Sequence, residues 1–143
     1  MSPEQQQAAR QEILQRLYQY CWGYDTNDMT LLASVFTEQA SSGGIVADSE
    51  LGWGPWHGKA AIVAALSDIR ESQPDRRRHV VDTCVFDALS TTRASARLYV
   101  SIFSYANGKP PHLVTTGEYR LRAVNGSDGW RLDGLDEVLD SAF

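Results

Sequence analysis

The second half of the chain constrains the fold most, because from about residue 78 onward apolar and polar residues alternate. A period of two is typical of β-strands that bury one face. The pattern predicts four strands, at about 78–88, 93–106, 112–124 and 128–139. The segments between them are short, and two of them contain Asn-Gly, a strong turn signal. Because short turns join strands that run in opposite directions, the sequence predicts an antiparallel meander.

The first half of the chain has a longer period, with apolar residues three and four positions apart. This spacing predicts amphipathic helices, at 4–23, 29–36 and 59–70. Asn27 or Asp28 is expected to cap the second helix. Between the second and third helices we expect a strand at about 40–47, interrupted by two glycines, and then a loop at 51–58 that is rich in Gly and Trp.

Helices followed by strands indicate an α+β fold. We expect one domain over residues 1–143, with the helices packed on one face of a curved antiparallel sheet. In the strand at 93–106 the even-numbered residues are mostly aliphatic and suit a buried face. The odd-numbered residues include Tyr99, Phe103 and Tyr105, which is a large aromatic content for a face that meets water. That outer face is a candidate homodimer interface, and the alternative is single aromatic residues at the surface.

Composition limits the classes of partner. The net charge is −5, and Arg76–Arg78 is the only basic cluster, so a solvated strand edge is favoured over a nucleic-acid surface. No apolar stretch reaches the ~20 residues of a membrane span. No signal peptide is visible, so a cytoplasmic location is expected, with Cys21 and Cys84 as free thiols. No His or Cys spacing indicates a metal site, and no metal is expected.

The residues most suited to chemistry lie where the first helix ends. Tyr20, Tyr24 and Asp25 fall within six residues, and His79 opens the first strand of the meander. We hypothesise that Asp25 and His79 meet in one pocket, with Tyr20 or Tyr24 beside them. Asp25 as a turn cap, His79 as a core or edge histidine, and the tyrosines as core packing are the structural alternatives.

Two tryptophans, Trp53 and Trp56, stand in the predicted loop at 51–58. They indicate either a lid over an apolar ligand or simple packing onto the core.

Three short motifs resemble a known family. They are Tyr-Asp-Thr-Asn-Asp at 24–28, His-Val-Val-Asp at 79–82 and Asp-Gly-Trp-Arg-Leu at 128–132. Their order and spacing resemble the SnoaL-like branch of the nuclear transport factor 2-like superfamily, and within it the scytalone dehydratases. The resemblance implies a cone-shaped curved antiparallel sheet wrapped around N-terminal helices, a deep apolar pocket and usually a homodimer. It also implies enzymes that need no cofactor, such as dehydratases, isomerases and polyketide cyclases, alongside non-catalytic members.

The resemblance also implies roles for individual residues. Tyr24 and Asp25 match a pocket Tyr-Asp pair, His79 matches a catalytic His, and Tyr20 matches a tyrosine of related bile-acid dehydratases. Ser104 stands where scytalone dehydratases have a second catalytic His, and Thr115 lies near the position of a pocket Asn. Where some relatives carry an Arg in the last strand, this chain reads Leu-Asp-Glu-Val at 135–138. The residues expected to bind substrate are Trp22, Trp53, Trp56, Ser104 and Thr115.

These residue types suit proton transfer next to a carbonyl. An imidazole exchanges protons near neutral pH, a carboxylate on its other nitrogen sets the tautomer, and a phenol can donate a hydrogen bond to a developing enolate. None of these steps needs a metal or a nucleotide. The predicted function is a cofactor-independent dehydratase, isomerase or cyclase that acts on a small hydrophobic metabolite such as a polyketide, terpenoid or steroid-like ring. The alternative is a non-catalytic ligand-binding or dimerisation module, which the missing His and Arg favour.

Overall fold

The first helix sets the position of the candidate site because it ends there. In the computed structural model, which describes residues 1–143, this helix, α1, spans Pro3–Asp25. It begins at a capping box, in which Ser2 Oγ accepts from the Gln5 N–H at 3.1 Å and Gln5 Oε1 accepts from the Ser2 N–H at 2.8 Å. Its buried side chains recur at three- and four-residue steps, and these residues are Ala9, Ile13, Leu17, Tyr20, Cys21 and Tyr24. The last turn therefore delivers Tyr20, Tyr24 and Asp25 towards the interior of the fold.

The apolar spacing of this helix also predicts Tyr18 and Trp22 to be buried, and for both residues the prediction is wrong. Tyr18 is 42% exposed, and Trp22 is 67% exposed because it falls on the opposite side of the helix from Tyr20 and Tyr24. Cys21 is buried, Cys84 is half-buried, and both are free thiols.

After α1 the chain turns through Asn27, whose φ of 57° is one that Asn tolerates better than most residues. Asp28 then caps the second helix, α2 (Met29–Ser34), by accepting from the Leu31 N–H at 3.0 Å. The third helix, α3, spans Lys59–Ser72. The three helices lie close to the sequence-based boundaries.

Six strands form one sheet in the order β2-β1-β6-β5-β4-β3. Their bounds are β1 Phe36–Val46, β2 Gly52–His57, β3 Arg76–Leu89, β4 Arg93–Tyr105, β5 His112–Gly126 and β6 Gly129–Leu139. The meander from β3 to β6 is antiparallel throughout, which confirms the prediction. The sheet is curved, and α1 packs against it, as the cone architecture requires.

Two details of the sheet differ from the sequence-based expectation. β1 pairs with β6 in parallel, so the sheet is not purely antiparallel. The segment expected to be a Gly- and Trp-rich loop instead contains an edge strand, β2, which pairs with β1. Gly44 permits this pairing, because a Cβ at that position would collide with the indole of Trp53.

β4 shows how the sheet separates core from surface. Its even-numbered residues from Ala94 to Ser104 are all buried, whereas Tyr99 on the other face is 62% exposed. None of the three helices is both long enough and apolar enough to cross a membrane.

Candidate functional site

Asp25 and His79 are in direct contact. Asp25 Oδ1 lies 2.6 Å from His79 Nδ1, and Asp25 Oδ2 accepts from the His79 backbone N–H at 2.9 Å. Only 15% of the Asp25 side chain and 9% of the His79 side chain are exposed. An ionised Asp25 accepts a proton-bearing Nδ1, so Nε2 is the ring nitrogen left to exchange a proton with a ligand.

Tyr24 holds the other side of the imidazole. Its ring meets the His79 ring edge to face, with centroids 5.1 Å apart, and its hydroxyl donates to Gln73 Oε1 at 2.7 Å. Burial raises the pKa of Tyr24 to about 12, so the phenol stays protonated at neutral pH. Tyr24 and Asp25 together fix the orientation of the His79 ring.

Tyr20 lies deeper, packed edge to face against Phe36 and Tyr119 at centroid distances of 5.9 Å and 6.3 Å. Burial raises the pKa of Tyr20 well above its usual value, so this phenol is also a hydrogen-bond donor rather than an anion.

A small inner cavity connects several of these groups. It has a volume of about 30 Å³, and its lining includes Tyr20, Tyr24 and His79. The rest of its lining is mainly apolar and includes Leu66, Ile69 and Ile102. Trp53 and Phe143 also line this cavity, and their rings touch edge to face with centroids 5.1 Å apart. The cavity is water-sized as it stands.

A larger outer groove also borders the Asp25–His79 pair and has a volume of about 510 Å³. Trp22, Asp25 and His79 all line it. Arg78 lies over the ring of Tyr105 in the same groove, with its guanidinium carbon 4.8 Å from the ring centroid. Trp22 is thus exposed to solvent yet close to the acid/base pair, and His79 borders both spaces.

Three residues expected to bind substrate line neither space. Ser104 donates its hydroxyl to Asp75, and Thr115 Oγ1 donates to the Ser141 carbonyl at 3.0 Å. Trp56 packs half-buried against the core on β2 and is absent from both linings. Their polar or aromatic groups are therefore used within the protein.

Glu137 is the residue that sequence analysis missed. It lines the inner cavity with His79, and burial raises its pKa to about 7 against the opposing influence of His79, Tyr119 and Tyr20. The sequence contained the signal, because alternation places Glu137 on the same face as Leu135 and Leu139, and both leucines are fully buried.

Arg77 is a second inward-facing charge. It is two residues before His79 on β3, only 9% exposed, and lines the inner cavity. Its Nε donates to both carboxylate oxygens of Asp75 at 3.1 Å, while its Nη1 is buried without a partner in the chain. No three His, Cys, Asp or Glu side chains come together in an arrangement suited to a metal ion.

Comparison with known proteins gives a consistent assignment. A family model described as a SnoaL-like domain matches residues 5–136. A nuclear transport factor 2-like protein with a cystatin-like fold from Novosphingobium aromaticivorans shares 20% identity, with a TM-score of 0.76 over 95% of this chain and 84% of that one. No curated protein matches the chain.

Two further solved structures are similar. A proposed scytalone dehydratase from Novosphingobium aromaticivorans has 18% identity and a TM-score of 0.78, covering 99% of this chain and 93% of its own. ActVI-ORFA from Streptomyces coelicolor has 24% identity and a TM-score of 0.75, covering 92% of this chain and 97% of its own. At these identities the solved structures establish the fold alone.

Proposed function

The chain belongs to the SnoaL-like domain family, and from this premise we propose that it is a cofactor-independent acid/base enzyme of the lyase or isomerase type. Its substrate would be a small, mostly apolar ketone that loses a proton next to the carbonyl. The observation that carries the proposal is the 2.6 Å contact between Asp25 Oδ1 and His79 Nδ1, made by a histidine that borders both the inner cavity and the outer groove.

His79 is the general base in this proposal. With Nδ1–H bonded to Asp25, Nε2 carries a lone pair that can accept a carbon-bound proton. The carboxylate then stabilises the imidazolium that forms, while staying ionised itself. Because the pair lies largely out of water, this electrostatic stabilisation is stronger than it would be at an exposed site.

Tyr20 is the better candidate for the donor to the developing enolate oxygen. Tyr24 already donates its hydroxyl proton to Gln73, whereas the Tyr20 hydroxyl borders the cavity next to Glu137. Its raised pKa keeps the phenol protonated, and a neutral donor aimed at a developing oxyanion stabilises the transition state.

The lining supports a hydrophobic substrate, since Leu66, Ile69, Ile102, Trp53 and Phe143 surround the polar groups of the inner cavity. Phe143 is 41% exposed, and its ring contacts the Trp53 ring.

The test is hydrogen exchange at the carbon next to a ketone, followed by NMR in deuterium oxide with benzylacetone as the probe. Wild-type protein is expected to accelerate exchange, and His79→Gln to reduce the rate by about 100-fold or more. Asp25→Asn is also expected to slow exchange. Its control is Asp28→Asn, which changes the nearby α2 cap, where Asn serves equally well. Exchange that is equally fast in wild type and His79→Gln would contradict the proposal.

A second candidate function is ligand binding without reaction. The observation in its favour is the small volume of the inner cavity, about 30 Å³, beneath the Trp53–Phe143 contact. Quenching of Trp fluorescence by benzylacetone without any exchange would favour this alternative.

A further inference from the structure

Glu137 and His79 both line the inner cavity although they belong to distant strands. β6 and β3 are separated by β5 and β4 in the sheet. In a flat sheet, three steps of about 4.8 Å would keep the two strands roughly 14 Å apart. The curvature of the sheet brings both side chains to one cavity of about 30 Å³, a space comparable to that of a water molecule.

Glu137 differs from its acidic neighbours because it has no cationic partner. Asp136 pairs with Arg122 at 2.9 Å and Glu118 pairs with Arg120 at 3.2 Å, both on the outer side of the sheet. No ion pair involves Glu137. An inward carboxyl without a cation within ion-pair distance is more readily kept as the neutral acid.

Titratable groups from three elements surround Glu137. α1 contributes Tyr20 and Tyr24, β3 contributes His79 and Arg77, and β5 contributes Tyr119. Tyr119 pairs with Glu137 across the β5–β6 ladder, and its fully buried hydroxyl lacks a partner of regular hydrogen-bond geometry. Burial raises the pKa of Glu137 to about 7, whereas a protonated His79 and the Tyr119 and Tyr20 hydroxyls lower it. A protonated fraction is therefore present at neutral pH.

We propose that Glu137 is a second proton-transfer residue of this site, which protonates the departing hydroxyl of a β-hydroxy ketone after or while His79 removes the proton next to the carbonyl. This inference rests on the proposed function and narrows its substrate class to β-hydroxy ketones. It requires both groups to reach the bound substrate, and both line the same inner cavity.

The proposed reaction removes one molecule of water from each substrate molecule. The C–H bond next to the carbonyl breaks, its proton goes to His79 Nε2, and its electron pair forms the new carbon–carbon double bond. The C–O bond of the β-carbon breaks with its electrons on oxygen, and the Glu137 carboxyl proton joins that oxygen to release water. The products are an enone and water, and the proton on His79 returns through solvent to the Glu137 carboxylate.

The test compares two reactions in the same variants. The aldol adduct of benzaldehyde and acetone loses water to benzylideneacetone, which is followed by its absorbance, whereas benzylacetone reports proton removal alone. Glu137→Gln is expected to lower kcat for dehydration by about 100-fold with little change in KM, and to lower dehydration much more than it lowers benzylacetone exchange. The wild-type kcat for dehydration is expected to fall as the pH rises through about 7, because Glu137 then loses its proton. This fall is expected to be absent in Glu137→Gln. Glu118→Gln is the matched control on the outer side of the sheet and should behave as wild type.

Each outcome either supports or overturns the role proposed for Glu137. If Glu137→Gln dehydrates the aldol adduct at the wild-type rate, the role of Glu137 is overturned and the proposed function stands. The same conclusion follows if the wild-type protein exchanges benzylacetone but does not dehydrate the adduct. Absence of exchange in the wild type overturns both. If Glu137→Gln does not fold, Glu137→Asp decides, because it keeps the acid but withdraws it by one methylene. A reduced kcat with the alkaline fall retained then supports the inference, and an unchanged kcat overturns it.

Discussion

Asp25 uses both of its carboxylate oxygens on one residue, and this has a consequence for the His79 tautomer. The His79 backbone N–H can only donate, so the oxygen it contacts must remain an acceptor. In Asp25→Asn the amide oxygen is expected to take that position and turn its NH₂ group towards Nδ1. Nδ1 must then accept, which moves the ring proton to Nε2 and removes the base. A change of one atom in Asp25 therefore acts on the chemistry through the tautomer rather than through the shape of the site.

Glu137 makes a residue-scale prediction about stability. Burial raises its pKa from 4.5 to about 7, so the folded protein binds this proton more tightly than the unfolded chain does. The stabilisation is fully present below pH 4.5 and is lost as the pH rises through about 7. Glu137→Gln should therefore reduce the loss of unfolding free energy between about pH 5 and about pH 8, by up to about 3 kcal/mol. Urea unfolding followed by Trp fluorescence measures this, with Glu118→Gln as control. Equal pH dependence in wild type and Glu137→Gln would contradict it.

At the scale of elements, the β1–β2 pair shapes one wall of the inner cavity. β2 carries Trp53, and the indole of Trp53 lies where a side chain at Gly44 would otherwise be. The missing side chain on β1 thus allows Trp53 to contact Phe143 at the cavity. The Trp53 ring can approach β1 this closely because Gly44 has no side chain, and the conformational freedom of glycine is not needed.

Gly44→Ala is therefore expected to displace the Trp53 ring and to destabilise the protein by about 1–3 kcal/mol through overpacking. Gly126→Ala is the matched control, since a Cβ there meets nothing within 4 Å. Thermal unfolding and the Trp emission maximum of both variants provide the measurement. A Gly44→Ala variant as stable as Gly126→Ala, with unchanged emission, would show that the wall does not depend on this contact.

At the scale of the whole molecule, the outer face of the sheet remains without a partner in the single chain. Val80, Tyr99 and Leu113 project from β3, β4 and β5 and are 45%, 62% and 52% exposed. The pairing registers place all three on the face opposite the buried Leu98 and Val100. Exposed apolar groups on three adjacent strands are typical of an interaction surface, and we propose a second copy of this chain as the partner.

The proposed homodimer predicts that Tyr99→Glu shifts the protein towards monomer, because it buries a charge at the centre of the interface. Sedimentation velocity at matched concentrations measures the shift. Leu51→Glu is the control, since Leu51 is 59% exposed but lies in the turn before β2. A wild type that sediments as a monomer at all concentrations would exclude the interface.

Local patterns explain what the sequence could predict of this molecule. The meander follows from period-two alternation and Asn-Gly turns, which act over a few residues. The parallel pairing of β1 with β6 joins residues about ninety positions apart, and nothing local in β1 specifies that neighbour.

The candidate site follows the same division. Alternation assigned Ser104 to the buried face, but it could not reveal that Asp75 takes up its hydroxyl. The contact of Asp25 with His79 was expected from motif order, whereas Glu137 was missed although Leu135 and Leu139 marked its face. The sequence therefore predicted most of the secondary structure, but it did not predict which distant residues contact each other.

The most direct test of the central claim is the nitrogen-15 NMR spectrum of the His79 ring in wild type and Asp25→Asn. Where the ring carries a single proton, the Asp25–His79 contact predicts that proton on Nδ1 in the wild type and on Nε2 in Asp25→Asn. Asp28→Asn should match the wild type. A wild-type His79 already protonated on Nε2, or a tautomer that ignores Asp25→Asn, would contradict the assignment of His79 as the base held by Asp25.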